Sequence, residues 1–184
     1  TVLHAERANL FARGDARNRI RHVQPDALLA HDDRPNVLRG RELGLAVEPK
    51  RFPDGAKTAV DAANAIGVQV GQIVKSLIFA VDGELVLAYV SGSNQLDERK
   101  LAAAAGGLTC QCVDADTVRE ATGYPIGGVP PIGHLTALRV FIDPDLLQHD
   151  VVWAAAGTWH DVFPLTPADL ERVGSGHVVD LKRG

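Results

Sequence analysis

Apolar side chains are densest between residues 71 and 92, GQIVKSLIFAVDGELVLAYVSG. On a strand, successive side chains point to opposite faces, so Ile73, Lys75, Leu77, Phe79 and Val81 share one side and Val74, Ser76, Ile78 and Ala80 the other. Residues 73 to 81 and 84 to 90 therefore read as a hairpin turned by Asp82-Gly83, a dipeptide that tolerates the positive φ angles of a two-residue loop. Lys75 breaks the pattern. An ammonium among large apolar groups is costly unless an anion meets it or the strand opens onto a cleft at that point.

The remaining pattern alternates helices with strands. NVLRGRELG predicts a short helix ending at Gly44, and LAVEPKRF a strand that Pro49 confines to a sheet edge. Thr58 caps AVDAANAI and Asp97 caps ERKLAAAA, the two helices closing at Gly67 and at Gly106-Gly107. Further on, LTCQCV reads as a strand, DADTVREAT as a helix with an aspartate cap, ALRVFID as a strand and PDLLQ as a turn of helix. VVWAAA and DVFPL follow as strands, then TPADLERV as a helix capped by Thr166, and HVVDL as a last strand. Alternation that includes a tight hairpin predicts an α/β domain on a mixed sheet rather than a purely parallel one.

Length and composition narrow the picture. A chain of 184 residues, 46% of them hydrophobic, suits one well-packed domain, expected over residues 36–184. Residues 1–35 are rich in arginine and aspartate and are expected to be an N-terminal extension with a solvated surface; Arg13, Arg17 and Arg21 would form one basic stripe if it were helical. No run approaches the roughly 18 apolar residues of a membrane helix, and the N-terminus lacks the order of a secretory signal, so a cytoplasmic protein with no membrane partner is expected.

Cys110 and Cys112, two apart on a strand, are too close for a relaxed disulfide and lack the second pair that a zinc site needs; they read as half-buried strand residues. The seven histidines show no metal-ligand spacing, so neither a metal nor another cofactor is expected. A net charge of −4 argues against gripping DNA or a long RNA surface unaided. Any RNA contact should be a local grip on a few nucleotides, or one shared with a partner.

The stretch GYPIGGVPPIG, residues 123–133, holds four glycines and three prolines between a helix and a strand. Prolines fix the trace, and glycines let a ligand approach the remaining backbone N–H groups, so such a loop can bind a carbonyl or carboxylate without a charged side chain. It matches neither of the glycine-rich signatures of nucleoside triphosphate or dinucleotide sites.

Taken together, the lysine in VGQIVKSLIF, the loop GYPIGGVPPIG and the segment WAAAGT ahead of FPLTPADL follow one another in an order that resembles the YbaK-like aminoacyl-tRNA deacylases, relatives of the editing domain inserted in prolyl-tRNA synthetase. The resemblance spans roughly residues 45 to 175, and the Gly-x-x-x-Pro signature of that family falls on Gly127-Gly128-Val129-Pro130-Pro131. It implies a compact fold around a mixed, barrel-like β-sheet with surrounding helices.

It also implies an activity: hydrolysis of the ester joining a wrong amino acid to the 3′ end of tRNA, with Lys75 anchoring the adenosine end. On this reading the N–H groups of Gly127 and Gly128 hold the carbonyl. Val129, Pro131, His134, Ala155, Ala156 and Gly157 line the substrate, His134 more as a brace of the loop. The small, apolar WAAAGT segment favours alanine or 2-aminobutyrate on tRNA-Pro over cysteine, serine or threonine, although one methylene discriminates by only about 1–3 kcal/mol. The implied partners are the aminoacyl-tRNA 3′ end and a prolyl-tRNA synthetase. Two other readings stay open: a non-catalytic module that binds aminoacyl-tRNA or a synthetase, and a hydrolase of another ester.

Overall fold

The computed structural model describes residues 33–52 and 55–184. Nearly all of the extension expected over residues 1–35, with Arg13, Arg17 and Arg21, lies outside the described residues. The predicted hairpin forms its centre. Strands β2 (Val74–Val81) and β3 (Glu84–Ser91) pair antiparallel from Val74 opposite Ser91 to Val81 opposite Glu84. Asp82 and Gly83 turn the chain at φ 48° and 89°, the left-handed angles of a two-residue loop. Asp82 adds a tie: its carboxylate accepts from the backbone N–H groups of Leu108 and Thr109 and from the Thr109 hydroxyl.

Around the hairpin stand α1 (Pro35–Glu42), β1 (Lys50–Arg51), α2 (Ala59–Ile66), α3 (Glu98–Ala105), β4 (Cys110–Cys112) and α4 (Ala115–Thr122). The chain continues through β5 (Arg139–Ile142), β6 (Val152–Ala155), β7 (Asp161–Leu165), α5 (Pro167–Gly174) and β8 (His177–Val178). Thr58, Asp97, Asp114 and Thr166 cap their helices with side-chain oxygens, as the sequence predicts.

The strands make two sheets, ordered β4-β2-β3-β5-β8 and β1-β7-β6, the larger one mixed because β5 runs parallel to β3. Among the described residues they do not close into a barrel; one parallel bridge, Ile73 to Trp153, joins them. Two expected strands shrink: LAVEPKRF pairs only at Lys50–Arg51, on the sheet edge, and HVVDL only at His177–Val178. Pro164 is tolerated in the central strand β7 because β1 pairs only with Asp161 and Val162.

Each face of the β2–β3 pair has its own core. On one side Val74, Ile78, Leu87 and Tyr89 pack with Ala154 and Phe163 of the small sheet and with Val129 and Ile132 of the glycine–proline loop. On the other, Phe79, Val81, Val86 and Val90 pack under Leu101 and Ala102 of α3 and under Leu181. The cysteines follow the second side. Cys110 is partly buried, its thiol pushed up to about 11 by desolvation first and by Glu98 next, whereas Cys112 is exposed at the end of the edge strand. Leu101 is fully buried and Leu135 is 74% exposed. Leu101→Ala is expected to lower unfolding stability by about 2–5 kcal/mol, against less than about 0.5 for Leu135→Ala, as measured by urea denaturation.

Candidate functional site

The helix α4 ends at Thr122, and the chain enters the glycine–proline loop. Gly128 N–H donates to the Pro125 carbonyl at 2.9 Å, closing a four-residue turn in which Gly127 takes φ 82°. That is a type II turn, whose third residue needs the positive φ that glycine supplies without strain. The Gly128 N–H, expected to hold a substrate carbonyl, is bonded within the turn; the exposed Gly127 N–H has no partner among the described residues and is the open donor. The loop is braced from behind: His134 donates its Nε2 proton to the Pro130 carbonyl at 2.6 Å, and the Tyr89 hydroxyl donates to the Pro131 carbonyl at 2.9 Å. Burial keeps the imidazole pKa below its ordinary value, against the opposing pull of the Pro130 carbonyl.

Facing the turn is the tip of the β6–β7 hairpin. Gly157 N–H donates to the Gly128 carbonyl at 3.0 Å, and the backbones approach so closely that a Cβ on Gly128 would stand 3.0 Å from both the Gly157 carbonyl oxygen and the Thr158 Cα. Trp159 donates its indole N–H to the Ile126 carbonyl and lies against Gly127.

The tip is rooted in Asp161, whose side chain has no exposed surface. Its carboxylate accepts from Thr158 Oγ1 at 2.7 Å, meets Arg34 at 3.0 Å and meets Arg51 at 3.2 Å. Arg34 also donates to the Ala156 carbonyl at 2.7 Å. Arg34, expected in the N-terminal extension, thus makes contacts with the hairpin tip and with β7. Beneath Gly133 and Gly157 lies Asn36 of α1, fully buried, whose backbone hydrogen-bonds the buried Tyr124 hydroxyl; the Asn36 side-chain amide has no hydrogen-bond partner among the described residues.

Lys75 stands on a different part of the sheet. Beyond the Ile73–Trp153 bridge and before β4 joins at Phe79, the edge of β2 away from β3 pairs with no described strand. Lys75 leaves this open seam on the face opposite Ser76 and Tyr89, and by the parallel register it shares a side with Ala155. Its half-buried ammonium donates to the Asn94 carbonyl, with the buried Asp143 carboxylate nearby.

Asp143 is fixed by three donors, Ser91 N–H at 3.1 Å, Asn94 Nδ2 at 2.7 Å and Asp145 N–H at 3.0 Å. Desolvation lowers the Lys75 pKa from its ordinary value, and Asp143 offsets that only in part. On balance the surroundings disfavour the charge, which is unlike a lysine retained for stability.

The structure thus brings together Gly127, Gly128, His134 and Gly157, and sets Lys75 and Ala155 on one side of the β2 seam. Val129, Pro131 and Ala156, expected to line the substrate, are buried. Alternation explains Ala156: on β6 and just beyond it, Val152, Ala154 and Ala156 point inward, which leaves Ala155 facing the other way. Trp159, Asn36, Tyr124 and the Arg34–Asp161–Arg51 cluster were not singled out from sequence. Of these, the tryptophan next to WAAAGT carried a signal, as an aromatic in a tight hairpin tip.

Comparison with known proteins adds an independent line. Residues 53–173 match the family described as the aminoacyl-tRNA editing domain. The chain is 37% identical over 93 residues to the proline–tRNA ligase of Desulforamulus reducens, covering 50% of this chain and 16% of that one. It is 31% identical over 119 residues to the uncharacterized protein YwhH of Bacillus subtilis, covering 65% and 76%. A solved structure described as a candidate trans-editing enzyme for prolyl tRNA synthetase superposes with a TM-score of 0.75 at 41% identity, over 79% of this chain and 93% of that one. The chain spans about a sixth of the ligase's length, so the likeness concerns one part of that protein.

The close approach of Gly128 to Gly157 gives a stability test. Gly128→Ala places its methyl against backbone that cannot rotate away, and is expected to cost about 1–3 kcal/mol in chemical denaturation. An unchanged midpoint would show that loop and tip are not held in contact.

Proposed function

Because the chain belongs to the aminoacyl-tRNA editing domain family, we propose that it is a trans-editing hydrolase that removes a wrong amino acid from tRNA, acting on tRNA-Pro that carries alanine or 2-aminobutyrate. The observation that carries the reading is the presence of an open backbone donor, Gly127 N–H on its type II turn, and of a lysine in a half-buried seam whose surroundings disfavour its charge. An ester needs little more. A water oxygen adds to the ester carbonyl carbon, and the carbonyl oxygen becomes an oxyanion that accepts from Gly127 N–H. The intermediate then collapses, expelling the ribose oxygen, which takes a proton; free amino acid and an intact tRNA hydroxyl remain.

In this reading Lys75 does not act as the nucleophile. Its ammonium attracts the phosphate or ribose of the terminal adenosine, an attraction strengthened where water is partly excluded. Asn94 and Asp143 aim it. Selection for a small side chain falls to Ala155 and Gly157, since Ala154 and Ala156 face the core. The tRNA body would be gripped by a partner, a prolyl-tRNA synthetase being the one that the relatives suggest, in the cytoplasm where tRNA is charged.

The test is a panel of tRNA-Pro charged with alanine, 2-aminobutyrate, serine, cysteine or proline, scored for released amino acid. Alanine and 2-aminobutyrate should be released and proline retained. Lys75→Ala should lose the activity by about 10²-fold or more with little change in unfolding midpoint, because the ammonium is not held there for stability. Release of nothing from the panel, or full activity in a folded Lys75→Ala protein, would refute the proposal.

A further inference from the structure

Trp159 is 50% exposed, yet it is fastened at three points. Its indole N–H donates to the Ile126 carbonyl, its own carbonyl accepts from Ala56 N–H at 2.9 Å, and its ring lies where a Cβ on Gly127 would come within 3.3 Å of Cδ1 and Nε1. A tryptophan that only buttressed the turn could bury its ring. Instead, about half of it faces solvent, directly beside the open Gly127 N–H, with Ile126 51% exposed next to it.

A ring fixed in advance loses little freedom when something stacks on it. The neighbouring charge suits an anionic strand: Lys57 follows Ala56, is exposed and has no anionic partner among the described residues. A fixed aromatic plane with a cation at its side is how proteins hold unpaired nucleotides, the base on the ring and a phosphate at the cation.

We infer that Trp159 is the stacking platform for a nucleobase at the 3′ end of the RNA substrate, with Lys57 meeting a phosphate of the same strand. The inference rests on the deacylase reading for the identity of the strand. Its physical content can be tested without hydrolysis.

The probe is a ribotrinucleotide with the sequence of a tRNA 3′ end, titrated against protein in which Trp153→Phe leaves Trp159 as the sole tryptophan. The trinucleotide should quench the remaining indole fluorescence, and an abasic analogue should not. By calorimetry, Trp159→Leu should weaken trinucleotide binding roughly 5- to 150-fold, and Trp159→Phe, which keeps a ring, should weaken it much less. Equal binding by a folded Trp159→Leu protein, quenching by the abasic analogue, or no binding of the trinucleotide would each overturn the inference. If the leucine variant fails to fold, the quenching pair and the phenylalanine variant still decide. Trinucleotide binding that depends on Trp159, together with no release of amino acid from any charged tRNA, would sink the deacylase reading and leave the platform standing.

Discussion

A carboxylate with no exposed surface holds the site together. Asp161 lies at the start of β7, and Arg34 from before α1, Arg51 from β1 and Thr158 from the hairpin tip converge on it. Removing one partner of such a buried cluster leaves an uncompensated charge, so the three segments are bound to one geometry. From that root follow the placement of Gly157 against Gly128 and of Trp159 against Gly127, and with them the direction of the open N–H on the turn. The loop itself contributes rigidity through its prolines, with His134 and Tyr89 braced behind it.

Lys75 belongs to a second arrangement, built for charge rather than shape. Between Ile73 and Phe79 this edge of β2 pairs with no described strand, so the half-buried lysine is reachable along the seam. Asp143 and the Asn94 carbonyl keep it oriented without neutralising the cost of burial, as the lowered pKa shows. A cation held at a cost attracts an incoming anion more strongly than a solvated one does. The fold thereby presents both an anion-attracting group and a neutral oxyanion donor, and ester cleavage calls for both.

What the sequence disclosed was mostly local. The Asp82-Gly83 turn and the caps at Thr58, Asp97, Asp114 and Thr166 depend on a few neighbouring residues, and they stand as expected. The anomaly of Lys75 was legible because period-two alternation is strict. What escaped depends on distant pairing. Which face of β6 turns inward is decided by the bridge to Ile73, so Ala156 could not be told from Ala155 by composition. Arg34 and Asp161 are 127 residues apart, and nothing near either announces the other. The Gly128 N–H was lost to a turn whose type only the backbone angles reveal.

The central claim is that Lys75 is a charge kept in a desolvated seam to meet substrate. NMR titration of lysine labelled at its ε-carbon addresses it directly, in the free protein and with a non-hydrolysable amide analogue of a 3′-aminoacyl adenosine bearing a 5′-phosphate. The account predicts that Lys75 titrates below its ordinary 10.5 when free and moves upward when the analogue binds, because an adjacent anion favours the charged form. An analogue that binds and leaves the Lys75 titration where it was would contradict it.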